Sequence, residues 1–426
     1  MSRIVLATFG SHGDLNPFLA LGVELRSRGH NVVVATAPVY KTDIKRLGLE
    51  HAPVRPELDQ SDVRMLRRAM NPRSGAEVIL RELLMPVIRE SYADLEKAAS
   101  GADLLVSHVL TYAAPVLAEK KGLLWLSTAL QPMIFFSRYD PPVLAPAPWL
   151  AALRPLGPRV NGALLSLLKR FSRSWGDPVR ALRRGLGLDP GRDPLFEGHH
   201  SPYGVLALYS GLFARPQPDW PQRVTMCGFP FLDEDLDGKP VDARVEAFLA
   251  SGEQPVVFTL GSTAVRIAGD FYGRAAEAAR LMGRRAVLLK GDGVEALKTL
   301  PAGILAVPSA PYHILFPRAS AVVHSGGIGT TAQALRAGVP QLIAPFAHDQ
   351  YDNAARVERM GVGRQCKRTA TALELAATLS RFLDDDAIKN RASQVGAAIR
   401  AENGIKTACD AIEGVLASKP CPGKSA

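Results

Sequence analysis

The stretch Ala321-Val322-Val323-His324-Ser325-Gly326-Gly327-Ile328-Gly329-Thr330-Thr331 decides the fold. A short β-branched run ends in a histidine, glycines follow, and the pattern predicts a helix from about Thr330 to Ala337. Strand, glycine turn and helix in that order leave bare backbone N–H groups at a helix start, where the helix dipole places partial positive charge. Such a turn suits a phosphate, and glycine lets a ligand come close to the backbone. The alternative is a glycine turn needed only for tight packing. Downstream, Gly338-Val339-Pro340 precedes a second apolar strand at 341–344, then Phe346-Ala347-His348-Asp349-Gln350-Tyr351-Asp352-Asn353-Ala354. Here a carboxylate and an amide stand side by side, the equipment for gripping sugar hydroxyls, which both donate and accept hydrogen bonds. Asp349 could equally cap the helix that follows. A phosphate cradle and a polyol grip in adjacent strand–loop–helix units point to a nucleotide sugar.

The same alternation runs through the chain. Runs at 4–9, 32–36, 104–107 and 124–127 read as strands between helical patterns, as a parallel α/β sheet demands. A Pro-rich stretch, 140–158, reads as a long loop, and 228–240, rich in Pro, Gly and Asp, as a linker. A second series opens at 255–260 and continues through 286–289, 304–307, 321–324 and 341–344. Two Rossmann-like halves of this kind hold ligand in a cleft between the carboxyl ends of their strands. A chain of 426 residues is long enough for two or three domains with sizeable cores.

Composition excludes several classes. The four cysteines (Cys227, Cys366, Cys409 and Cys421) are scattered without a CxxC pair, and read as reduced thiols in a cytoplasmic protein. His199-His200 lacks the partner cluster that zinc requires, so no metal is expected. The opening ten residues are too short an apolar run for a signal peptide, and no stretch reaches the roughly 18 residues of a membrane span. The net charge of +10 is uneven: Arg154, Arg159, Lys169, Arg170, Arg173, Arg180, Arg183 and Arg184 crowd one segment whose only acid is Asp177. This basic segment, 154–184, suits peripheral contact with an anionic membrane at its inner face, or is an ordinary solvated helix face. No recognised nucleic-acid motif accompanies the charge, so nucleic acid is not an expected partner. Two decoys fall away. Gly423-Lys424-Ser425 lacks the first glycine of a phosphate loop, since Ser418 stands there. The first turn, Gly10-Ser11-His12-Gly13-Asp14, lacks GxGxxG spacing, and no acid follows the second strand, which argues against a dehydrogenase.

That first turn offers chemistry of its own. Asn16 and Pro17 read as N-cap and first residue of the next helix, leaving His12 and Asp14 in an exposed loop. Sugar transfer to an alcohol needs a base, which typically contributes roughly 10²- to 10⁴-fold. Asp14 could instead bind backbone N–H groups at the helix start.

His324-Ser325-Gly326-Gly327-Ile328-Gly329-Thr330 and His348-Asp349-Gln350-Tyr351-Asp352-Asn353-Ala354 resemble the donor signature of nucleotide-sugar-dependent glycosyltransferases with the two-domain GT-B fold, family 1 type. The pattern is nearer to bacterial antibiotic and sterol enzymes than to plant ones, which have Asn and Ser where Ile328 and Gly329 stand. It most resembles bacterial rhamnosyltransferases of mono-rhamnolipid synthesis, through His200-Ser201-Pro202, Gln217-Pro218-Asp219-Trp220-Pro221-Gln222, Gly228-Phe229-Pro230 and Gly269-Asp270-Phe271-Tyr272. The resemblance implies an N-terminal acceptor-binding domain over 1–227, a linker over 228–240 and a nucleotide-sugar-binding domain over 241–400. It also implies that 401–426 forms a helix returning to the first domain, with a frayed tail.

The resemblance also implies roles. The catalytic position falls in Gly13-Asp14-Leu15-Asn16-Pro17, making Asp14 the first candidate for general base and His12 the second. His324 would donate to the diphosphate, and Gly326, Gly327, Gly329 and Thr330 would meet it through backbone N–H groups. Gly261-Ser262-Thr263 would touch a phosphate from the facing strand, Asp349 and Gln350 the sugar hydroxyls, and the region around Ala310 and Pro311 the base. The implied reaction is inverting and metal-independent, with the dTDP- or UDP-sugar as co-substrate and no cofactor. The expected activity is glycosyl transfer, dTDP-L-rhamnose being the first-choice donor and a hydrophobic, lipid-like alcohol such as a hydroxy fatty acid dimer the acceptor. Alternatives are a UDP-glucose-dependent enzyme acting on a sterol, polyketide or phenolic, and a non-catalytic activator of a partner transferase.

Overall fold

The computed structural model describes residues 1–57, 62–233, 242–291 and 300–418. Most of the expected linker (234–240) and of the expected tail (419–426) lies outside the described residues.

Two parallel sheets organise the chain. The first comprises β1 (Arg3–Ala7), β2 (Asn31–Thr36), β3 (Glu50–Pro53), β4 (Leu104–His108), β5 (Leu124–Ala129), β6 (Val205–Ala207) and β7 (Val224–Met226), in the order β3-β2-β1-β4-β5-β6-β7. The second comprises β8 (Val256–Thr259), β9 (Ala286–Leu289), β10 (Ile304–Val307), β11 (Ala321–His324), β12 (Gln341–Ile343) and β13 (Gly363–Gln365), in the order β10-β9-β8-β11-β12-β13. Val5, Val106, Val257 and Val323 have no exposed surface, the burial expected of strands covered on both faces by helices. Each sheet reverses its winding once, between β1 and β4 and between β8 and β11. Ligands of doubly wound sheets bind at such switch points, beyond the strand carboxyl ends.

Three local readings change. The first helix starts at His12, not after Asn16, because Ser11 caps it and Ser11-x-x-Asp14 closes a reciprocal capping box. Pro17 then lies inside the helix, in its second turn, and its missing N–H leaves the Gly13 carbonyl without that intrahelical partner. The helix after β11 starts at Ile328, with Gly327 as its N-cap, so Gly329 and Thr330 belong to its first turn. The stretch expected as a long loop carries 3₁₀ turns over Pro148–Leu156.

The last helix, Gly404–Ala417, packs on the first helix of the N-terminal half. Cys409 is buried near the Leu21 carbonyl, and Arg28 pairs with Asp410 at 2.7 Å and Glu413 at 2.8 Å. The chain thus returns to its beginning, which fixes the two sheets' carboxyl ends face to face.

Candidate active site

The switch points converge on one cavity of about 1490 Å³ between the two halves. From the N-terminal sheet come Gly10–Asp14 after β1 and His108 at the end of β4; from the C-terminal sheet come Gly261–Thr263 after β8 and Gly327–Thr330 after β11. The two helix starts nearly touch, since a Cβ added to Gly329 would lie 3.8 Å from the Gly13 Cα.

Asp14 occupies the third position of the first helix and lines the cavity. Its Oδ2 accepts from the Ser11 N–H at 2.7 Å and the Ser11 hydroxyl at 3.2 Å. One carboxylate oxygen therefore caps the helix, while the side chain still lines the cleft. Gly10 makes the seat, because at φ +135° a Cβ there would lie 2.2 Å from Oδ2. His12 also lines the cavity, but its Nε2 sits 3.3 Å from Asp43 Oδ2, with the ring edge-on to Tyr40.

Sequence reasoning missed His108. It is buried at the end of β4, lines the same cavity, and feels the charge of Asp14. The ring lies near the Phe9 backbone, yet neither nitrogen makes a well-formed hydrogen bond. Burial holds its pKa below the usual imidazole value, with Asp14 opposing that shift, so the ring is neutral near pH 7. In the run Leu104-Leu105-Val106-Ser107-His108 nothing distinguished it from a satisfied core histidine.

On the donor side, His324, Gly326 and the expected base pocket at Ala310 and Pro311 depart from the sequence reading. His324 is fully buried and does not line the cavity: its Nδ1 accepts the Gly326 N–H at 3.0 Å, and its Nε2 meets Gln341 Oε1 at 2.9 Å. Burial pushes its pKa down to about 4, so the ring is neutral, and both of its nitrogens are engaged inside the protein as a brace for the turn. The Gly326 N–H is consumed by that brace, and its missing Cβ makes room for Ile343 and the Gln350 backbone. What faces the cavity is Gly327, Ile328, Gly329 and Thr330, whose first-turn N–H groups have no intrahelical partner. Ser325 ties this turn to the facing loop by donating to the Leu260 carbonyl at 2.9 Å. Across from it, Gly261, Ser262 and Thr263 line the cavity, with Gly261 at φ +72°. Arg266, which the sequence reading also passed over, lines the cavity beside them. Of the expected base pocket, Tyr312 reaches the cavity, held by Thr259 at 2.9 Å, whereas Ala310 and Pro311 do not line it.

Asp349 and Gln350 both line the cavity. Asp349 does not cap the helix Gln350–Arg359 through its side chain; its Oδ2 accepts from Asn353 Nδ2 at 2.7 Å. Gln350 spends its carbonyl oxygen on the Phe346 and Ala347 N–H groups at 2.8 and 3.1 Å, which leaves the amide nitrogen for a ligand. His348 before them adopts φ +53°, a costly backbone for a non-glycine residue and one that clusters at ligand-binding sites. Burial, and then the nearby Asp14 charge, push Asp349 up to about 7. Such a carboxyl accepts hydroxyl protons best when ionised, so donor affinity should strengthen as pH rises from about 6 to about 8. The sign for stability is the reverse. The folded chain keeps a proton that the unfolded chain releases near pH 4, so this stabilisation is full at low pH and lost as pH rises to about 7. Titration calorimetry with a nucleotide sugar checks the first statement; an affinity flat across that window, or still pH-dependent in Asp349→Asn, contradicts it.

A family model described as the glycosyltransferase family 28 N-terminal domain matches residues 4–130, and one described as erythromycin biosynthesis protein CIII-like, C-terminal domain, matches residues 276–407. The chain is 34% identical to the O-mycaminosyltylonolide 6-deoxyallosyltransferase of Streptomyces fradiae, over 96% of this chain and 97% of that one. The chain belongs to the GT-B glycosyltransferases. The transferase is also 28% identical to the sterol 3-beta-glucosyltransferase of Neurospora crassa, over 96% of its own length and 27% of that longer protein. Among solved structures, the kitacinnamycin glycotransferase shares the fold, with a TM-score of 0.74 at 24% identity over 97% of this chain and 99% of that one.

The brace role of His324 has a consequence for the transferase. Replacing it with Ala should release the Gly326 N–H and loosen the turn, weakening nucleoside diphosphate binding by about tenfold, the cost of one net hydrogen bond of roughly 1 kcal/mol plus lost order. Asn, whose amide oxygen can accept that N–H, should recover part of the loss. Equal losses in both variants would return His324 to direct phosphate contact.

Proposed function

We propose that this glycosyltransferase moves a 6-deoxyhexose, with dTDP-L-rhamnose the first-choice donor, onto a hydroxyl of a lipid-like acceptor such as a hydroxy fatty acid dimer. The observation that carries the acceptor class is the lining of the cavity. Beyond Asp14 its walls include Leu66, Leu80, Leu83, Met133, Ile134, Leu164, Leu168 and Trp175, with Asp62, Arg73, Glu77 and Arg154 among the polar residues between them. Its volume of about 1490 Å³ exceeds the roughly 300–1,000 Å³ of a single small-ligand site, leaving room for a nucleotide sugar and an apolar acceptor together. The donor preference is supported by the resemblance described above and by the Streptomyces fradiae relative, whose name specifies a 6-deoxyhexose.

In this reading the acceptor hydroxyl lies against Asp14, which removes its proton as the oxygen attacks the anomeric carbon. The bond from that carbon to the diphosphate breaks, and inversion follows from the single displacement. Charge growing on the diphosphate meets the N–H groups of Gly327, Gly329 and Thr330 and the Ser262 side chain opposite. One helix start supplies at most about 2 kcal/mol to an anion, so the facing loops act together.

A second reading, transfer of glucose from UDP-glucose to a sterol, polyketide or phenolic, is favoured by the same apolar volume and by the sterol-acting relative. Acceptor chain length separates the two. Each methylene buried is worth about 0.8 kcal/mol, so kcat/KM should climb about fourfold per added carbon until the cavity fills. Flat dependence on chain length overturns the lipid-like acceptor.

A further inference from the structure

The mouth of the apolar cavity is built from exposed apolar side chains. Leu167 and Phe171, on the helix Pro158–Ser172, line the cavity and yet are 63% and 75% exposed, so they form its rim. Val160, Leu164, Leu167 and Phe171 recur at helical spacing as one row, about a third of a turn from the buried row that includes Asn161, Leu165 and Ser172. Trp149 (69% exposed) and Leu156 extend this patch along the preceding 3₁₀ turns.

Charge borders the patch. Lys169, Arg180 and Arg183 are paired with Glu197, Asp193 and Glu119. Arg159, Arg170 and Arg173 are exposed and form no ion pair among the described residues. Arg159 and Arg170 fall on the flank of the apolar row opposite its buried side.

We infer that this patch docks the enzyme on an anionic lipid bilayer, with the rim of the acceptor cavity turned toward the lipid. The proposal rests on the hydrophobic-acceptor reading. An apolar row with aromatic residues, low overall hydrophobicity and arginines alongside is the pattern of a helix that lies in a membrane interface. The free arginines select anionic headgroups as the occupant. A second copy of the chain is the poorer fit, because a two-fold pairing of this patch would set its unpaired arginines against their own copies. Acceptor would then pass from bilayer to cavity along Leu167 and Phe171 without crossing water.

The test is co-sedimentation of the full chain with vesicles of phosphatidylcholine alone and of phosphatidylcholine mixed with phosphatidylglycerol, with no donor or acceptor present. Two variants avoid the cavity lining: Trp149→Ser with Leu156→Ser, and Arg159→Glu with Arg170→Glu and Arg173→Glu. Binding is expected to the anionic vesicles only, to weaken with salt, and to fall about tenfold or more in each variant. Equal binding to both vesicle types, no binding, or a dimer in solution that the Trp149/Leu156 variant dissociates overturns the proposal. Vesicle binding together with a failure of the chain-length test keeps the docking face and removes the lipid-like acceptor; the converse removes only the docking face.

Discussion

Asp14→Asn is expected to lower kcat by about 10²- to 10⁴-fold while leaving nucleoside diphosphate affinity nearly unchanged. The variant is chosen because an amide oxygen can still accept the Ser11 N–H and hold the capping box. Asp14→Ala would also lose the cap, at about 1 kcal/mol, and so confuse catalysis with stability. Steady-state rates beside calorimetric titration of dTDP read the two quantities apart. Retained turnover removes Asp14 from the base role and passes it to His12, which reaches the cavity from one position beyond the helix cap. His108→Phe adds a control, since it keeps a ring in the site but removes the neutral imidazole that faces the Asp14 charge.

The second large effect concerns stability. Arg356, 2% exposed, donates to Asp352 at 2.7 Å and to Asp140 at 2.6 Å, and Asp140 also pairs with Arg154. Asp352 in turn accepts the Val143 N–H at 3.0 Å. This buried network joins the segment behind the acceptor cavity to the helix whose start carries Asp349 and Gln350. Arg356→Met should cost about 3–5 kcal/mol, because it leaves Asp352 buried without its cation and Asp140 with Arg154 as its remaining close partner. Adding Asp140→Asn and Asp352→Asn should restore part of that loss. Chemical denaturation reads both; a change under about 1 kcal/mol for the single variant would mean that water reaches the network.

Much of this was legible in the sequence, for reasons that can be named. The apolar runs that became β1, β2, β4, β5, β8, β9, β10, β11 and β12 were visible because strands buried on both faces read as continuous Val, Ile and Leu. β3 was not, because Glu50-His51-Ala52-Pro53 has neither an apolar run nor alternation and is held by pairing to β2. β6, β7 and β13, three residues each, carry no period, and unlike the equally short β12 they were not picked out as apolar runs. At the site, the resemblance to the donor signature, more than spacing, named Asp14, Gly261, Ser262, Thr263, Gly327, Gly329, Thr330, Asp349 and Gln350, all of which line the cavity. It misplaced His324 and Gly326 because a histidine after a strand looks the same whether it points outward or braces the turn from below. The start of the first helix was misread because Asn16-Pro17 is a strong signal, and the Ser11–Asp14 capping box outweighed it. The bond from Arg356 to Asp140 spans 216 positions, and no local pattern announces such a pair.

The measurement that bears most directly on the account is mass spectrometry of products from the purified transferase. It would be supplied with dTDP-L-rhamnose or UDP-glucose and a mixed panel of hydroxy fatty acid dimers, sterols and phenolics. The account predicts a single deoxyhexosyl addition to the fatty acid dimer, dependent on Asp14. A hexosyl addition to a sterol or phenolic, with none to the dimer, contradicts it.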